Sequence, residues 1–93
     1  NVMPKYVIER DLPGAGSLSA DDLRGISEKS NSVLTEMGGD VHWLHSYVVD
    51  DKIFCVYVAP DTDRVREHAT RGGFPCNAIR EVNAVIDPAT GGL

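Results

Sequence analysis

The chain has 93 residues, 42% hydrophobic and 25% charged, which suits one compact domain whose modest core would gain from a partner subunit. With 9 basic against 14 acidic side chains its net charge is -5, the wrong sign for a phosphate backbone, so nucleic acid is not an expected partner. No apolar run approaches the roughly 20 residues that span a bilayer, and the opening NVMPKYV lacks the charged-then-apolar order of a signal peptide, so the chain reads as cytoplasmic with no membrane partner.

Asn1 and Val2 precede Met3, which reads as the natural start; residues 1–3 are set aside as a possible remnant, before one domain over residues 4–88. "KYVIERDL" (Lys5 to Leu12) is short and rich in β-branched and aromatic residues, and it stops at the turn cluster Pro13-Gly14-Ala15-Gly16, so it predicts a first strand. Ser19 followed by Asp21 and Asp22 suits a helix start. Leu23, Ile26, Val33, Leu34 and Met37 then recur at helical spacing until Gly38-Gly39, which predicts a helix from about Ser19 to Met37. Asp50-Asp51 lies between two β-rich runs within Val41 to Ala59, the pattern of a hairpin. Asp61 is a good N-cap for a short second helix carrying Val65, His68 and Ala69 on one face, closed by Gly72-Gly73 with Phe74 packing back. A last strand is expected over Ile79 to Ile86, and the tail 89–93, with two glycines, is expected to fray.

The order βαββαβ predicts an α+β, ferredoxin-like sandwich: a four-stranded antiparallel sheet with both helices on one face and the other face open, which two copies packed face to face in a dimer would cover. A two-residue turn at Asp50-Asp51 pairs Tyr47 with Phe54, His45 with Val56 and Trp43 with Val58 on one face. Ser46 and Cys55, being small, suit the helix side, so the aromatic set Trp43, Tyr47 and Phe54 is expected on the open side. Alternation in the last strand puts Val82, Ala84 and Ile86 toward the helices and Glu81 and Asn83 toward the open side. His45, Tyr47, Glu81 and Asn83 would then line one pocket, and a one-residue slip would reverse every one of these faces.

Individual motifs carry limited chemistry. His42 and His45 are an odd number of residues apart, so on a regular strand they point to opposite faces and do not chelate one ion. Glu67 and His68 are adjacent and about 100° apart on a helix, a poor chelating pair, and His68 suits packing under the helix. The loop "GAGS" lies between a strand and a helix but lacks a third glycine, and Asp21 and Asp22 follow it, so it reads as a flexible connection. No catalytic signature surrounds Ser46, Cys55 or His42, and no catalytic residue is assigned. Cys55 and Cys76 are too few for a disulfide framework and are expected as free thiols.

"YVIERDLPG", "HWLHSYVVDDKIFCVYVAPD", "REHATRGGFP" and "IREV", in this order from Tyr6 to Pro88, resemble a small bacterial family widespread in actinobacteria, ferredoxin-like proteins formerly a domain of unknown function and typified by a nickel-binding protein. Cys76 departs from the small residue, such as alanine, expected there in the family. The resemblance implies a homodimeric sandwich with surface Ni²⁺ held by single imidazoles together with carboxylate and water oxygens, a donor mix suited to that ion. The candidates are His42, His45 and His68 as nitrogen donors and Asp40, Glu9, Glu67 and Glu81 as oxygen donors.

Two functions follow as expectations. One is non-catalytic sequestration or buffering of nickel or a similar divalent ion. The other is binding or conversion of a small organic molecule in an open-face pocket bounded by Trp43, His45, Tyr47, Phe54, Glu81 and Asn83, with His45 as general base and Glu81 as its orienter.

Overall fold

The computed structural model describes residues 3–93; Asn1 and Val2, the residues expected to precede the natural start, lie outside the described residues. Four strands, β1 (Lys5–Asp11), β2 (His42–Val48), β3 (Lys52–Val58) and β4 (Ala78–Glu81), form one antiparallel sheet in the order β2-β3-β1-β4, with helices α1 (Ala20–Glu36) and α2 (Thr62–Gly72) on one side. This is the expected ferredoxin-like arrangement.

Local chemistry explains where the helices begin and end. Ser19 and Asp22 exchange side-chain-to-backbone hydrogen bonds at the start of α1, each satisfying an amide that the helix leaves unpaired. The Asp61 carboxylate accepts from the Arg64 amide to start α2, and Gly73, at φ 69°, closes it in the left-handed region that favours glycine. The Phe74 amide donates to the Ala69 carbonyl, folding its ring back over His68 as expected. An alanine at Gly72 would overlap that ring.

The core lies between sheet and helices, where Tyr6, Ile8, Ile53, Cys55 and Tyr57 meet Val33, Met37 and Val65. The opposite face carries Lys5, Val7, Glu9 and Asp11 of β1 beside Lys52, Phe54, Val56 and Val58 of β3. Ala15–Ser17 forms a short 3-10 turn, not a flexible connection: Ala15 is buried, and the Gly16 amide donates to Asp50 at the hairpin tip. A side chain at Gly16 would press on the Asp50 backbone, so the glycine there permits close approach.

Three further expectations are corrected. β4 is shorter than Ile79 to Ile86, because the Val82 amide donates to Lys5, the first residue of β1, and beyond it β1 offers no strand partner. Its faces are also reversed: Glu81 lies opposite Tyr6 and Ile79 opposite Ile8 on the helix side, while Arg80 lies opposite Val7 on the open side. The tail closes in a 3-10 turn, Pro88–Gly91, capped reciprocally by Asp87 and Thr90, where fraying was expected.

Candidate metal-binding face

The hairpin register holds as expected from the turn through His45, with Val48 opposite Ile53, Tyr47 opposite Phe54 and His45 opposite Val56. It then shifts. Between Trp43 and His45 the strand bulges, so Trp43 faces Tyr57 and His42 faces Val58, with Leu44 as the extra residue. The bulge overturns the alternation argument: Val56 and Val58 share the open face, so His42 and His45 share it too. Their strand partners are two residues apart, which sets the attachment points of the two side chains roughly 7 Å apart along the sheet. Both histidines are exposed, and the His45 ring meets the Tyr47 ring edge-on at 5.0 Å between centroids.

Trp43, expected on the open side, is turned to the helix side, half-buried against the core, with its indole N–H donating to Ser46 Oγ at 2.9 Å. That contact also accounts for Ser46 on the same side, opposite Cys55. Tyr47 and Phe54 remain paired on the open face.

The oxygen donors are mostly engaged. Arg64 clamps Asp40 with two hydrogen bonds, at 2.7 and 3.0 Å, and reaches the Met37 carbonyl, tying the end of α1 to α2. Hydrogen bonding to Arg64 holds the Asp40 carboxyl below the usual carboxylate range. Glu67 lies on α2 between Arg64 at 2.7 Å and Arg71 at 2.6 Å, and Arg64 first, then Arg71, keeps it ionised to lower pH. Glu9 is on the open face, held at 2.9 Å by Lys52, whose own pKa is pushed up to about 12 by hydrogen bonds to Asp11 and Glu9. Glu81 lies at the end of β4, exposed. Among the described residues no three His, Cys, Asp or Glu side chains converge as a metal-holding group.

His68 stands apart from the other two histidines. It is 1% exposed, under α2, with Nε2 3.1 Å from Ser30 Oγ of α1 and Nδ1 without a partner among the described residues. Burial, reinforced by the nearby Arg10 guanidinium, lowers its pKa to about 4, so it is neutral at physiological pH. Tyr57 and Phe74 pack on its ring. The cation beside it was not anticipated: Arg10, 4% exposed, donates to the Pro75 carbonyl at 2.6 Å and to Cys55 Sγ at 3.3 Å. Its position as an inward residue of β1, in phase with Tyr6 and Ile8, was the available signal. Cys55 is buried in this cluster and Cys76 is half-buried; both are free thiols.

The expected pocket divides. His45 and Tyr47 line one groove of about 330 Å³ on the open face, with Lys5, Val7, Val56, Val82, Ala84 and Val85. Glu81 and Asn83 line an adjoining groove of about 610 Å³. Trp43 and Phe54 line neither, and His45 and Glu81 line different ones of these two grooves, which separates the expected base from its orienter.

The sequence profile described as "Nickel responsive protein SCO4226-like" matches residues 6–82. The chain belongs to this family. Among solved structures it is similar to SCO4226 from Streptomyces coelicolor A3(2), with 18% sequence identity, a TM-score of 0.74, and coverage of 88% of this chain and 99% of that one. That likeness supports the fold. No curated protein matches the chain. No helix among the described residues is long and apolar enough to cross a membrane.

Proposed function

We propose that the protein binds Ni²⁺, or a similar divalent ion, as cargo and sequesters or buffers it without catalysis, using His42 and His45 together as the protein's nitrogen donors. The observation that carries this reading is the bulge at Leu44, which brings two exposed imidazoles onto one sheet face where a regular strand would separate them. Membership of a nickel-responsive family supports the choice of ion. So does the donor chemistry: imidazole suits Ni²⁺, and no exposed thiolate competes for softer metals. Two imidazoles leave most of an octahedral shell to water and to carboxylate. Asp40, two residues before His42, would have to leave its Arg64 clamp to contribute. His68 and Glu67 have no part in this reading, one being buried and the other held by two arginines.

We also propose that two chains pair as a homodimer. Leu44, Tyr47, Val48, Val85 and Ile86 leave large apolar side chains in water, more than a domain this small is expected to carry without a partner surface. Native mass spectrometry of dialysed protein with a slight excess of Ni²⁺ tests both statements. The expected result is a dimer taking up a fixed whole number of Ni²⁺ ions in competition with Mg²⁺, a number that falls in the H42A/H45A double variant. Unchanged uptake by the double variant would refute the site, and a monomer would refute the pairing.

A further inference from the structure

We infer that Trp43 is the positioning residue of the nickel site: its indole, held on the helix side, fixes the strand register in which His42 and His45 share a face. The inference rests on the two-imidazole reading of the open face and adds what keeps that face assembled. It starts from a competition for one place in the sheet. Continued regularly from His45 opposite Val56, the hairpin would set Leu44 opposite Tyr57 and Trp43 opposite Val58. The structure instead sets Trp43 opposite Tyr57 and leaves Leu44 as the extra residue, 47% exposed. Tyr57 belongs to the helix-side core, so two apolar residues adjacent in sequence compete for the inward place beside it, and the larger takes it.

Side chains decide this outcome, because "HWLHSYV" contains neither glycine nor proline to set a bulge through the backbone. The indole packs against the core and buries more apolar surface there than a leucine side chain would. Its N–H donates to Ser46 Oγ at 2.9 Å, and Ser46 lies opposite Cys55 on the same side, so this hydrogen bond spans the bulge from one flank to the other. Val41, just before β2, is buried as well, so the shifted register keeps a second side chain inward. With Leu44 inward instead, Trp43 would turn to the open face and His42 to the helix side, away from His45. Trp43 and the two imidazoles project from opposite faces of the sheet, so the indole acts through the register and not as a ligand. Nickel and indole then bias one equilibrium, each favouring the bulged form for the other.

The experiment compares Trp43→Thr and Ser46→Ala, each with and without deletion of Leu44, in the full chain. Register is read without metal from cross-strand contacts in NOE spectra, and Ni²⁺ affinity from isothermal titration calorimetry. In Trp43→Thr, Leu44 should move opposite Tyr57, and Ni²⁺ affinity should fall about tenfold, toward that of H42A. Ser46→Ala keeps the ring and loses only the acceptor, so it should weaken Ni²⁺ about threefold, and it carries the comparison where Trp43→Thr does not fold. Deleting Leu44 lets the two imidazoles share a face in regular pairing, so the deletion should restore Ni²⁺ affinity to either variant, a rescue that a merely structural role of the indole would not give. Affinity that the deletion fails to restore would overturn the inference, and so would the native register persisting in Trp43→Thr. Failure of the nickel reading is distinguishable: uptake would then be unchanged in H42A/H45A, while the metal-free register still decides the role of Trp43.

Discussion

Acid should destabilise this protein through one residue in particular. His68 is neutral and buried, with a pKa lowered to about 4 from the ordinary 6.5, by burial first and then by Arg10. The unfolded chain therefore binds the proton that the folded chain refuses. The stability this represents is fully present above pH 6.5, declines as the pH falls through the interval, and is exhausted near pH 4. A depression of this size corresponds to about 3 kcal/mol, a large part of the stability of so small a domain. Arg10 from β1 and Lys29 from α1 both lie over the Phe74 ring, and among the described residues no carboxylate raises the His68 pKa against Arg10. The assay is urea unfolding followed by circular dichroism between pH 7.5 and 4.5, comparing wild type with His68→Met. Asp40 and Glu67, whose pKa values are lowered by Arg64, add an acid loss of their own below the usual carboxylate range, but it is shared by both proteins and cancels in the difference. The variant should be the less stable of the two at pH 7.5, having lost the Ser30 contact, and the gap should close by about 3 kcal/mol or reverse by pH 4.5. Parallel stability curves for the two proteins would refute the reasoning.

Three further outcomes are expected. Gly72→Ala places a methyl group against the Phe74 ring and should cost about 1–3 kcal/mol in urea unfolding, a loss that Gly72→Ala/Phe74→Leu should partly recover. Arg64→Ala releases Asp40, Glu67 and the Met37 carbonyl at once, and should lower the thermal midpoint by more than Arg24→Ala, which frees only the exposed Asp21 pair. Deleting Leu44 removes the extra residue and leaves His42, Trp43 and His45 in regular alternation on the same faces they already occupy; the variant should fold and retain its Ni²⁺ stoichiometry. An unfolded deletion variant would argue that β2 is regular and its histidines opposed.

Much of the architecture was legible because it is written in local chemistry. Ser19 and Asp61 cap helices wherever an extended residue precedes a helical run, Gly73 supplies the left-handed closure, and Asp50-Asp51 marks the hairpin turn between two alternating strands. The candidate metal-binding face was not legible, for a different reason. A bulge is decided by how two strands pair, and "HWLHSYV" contains no glycine or proline to announce one, so strict alternation separated His42 from His45 and sent Trp43 to the wrong side. The indole found a better position against the core, with Ser46 to accept its N–H. The end of β4 failed similarly: Val82 to Ile86 reads as strand by composition, but a strand needs a partner, and β1 stops at Lys5. The reversed faces of β4 follow from its register on β1, which no residue within β4 specifies.

The central claim is that the bulge assembles a two-imidazole nickel site on the open face, and paramagnetic broadening tests it most directly. Ni²⁺ added at a small fraction of the protein concentration, in ¹H–¹⁵N spectra of the full chain, should first erase the amide signals around His42 and His45 and of Val56 and Val58 opposite them. His68, Glu67 and the rest of α2 should stay sharp, and H42A or H45A alone should suppress the effect. Broadening centred on α2, or on the open face with either histidine dispensable, would contradict the account.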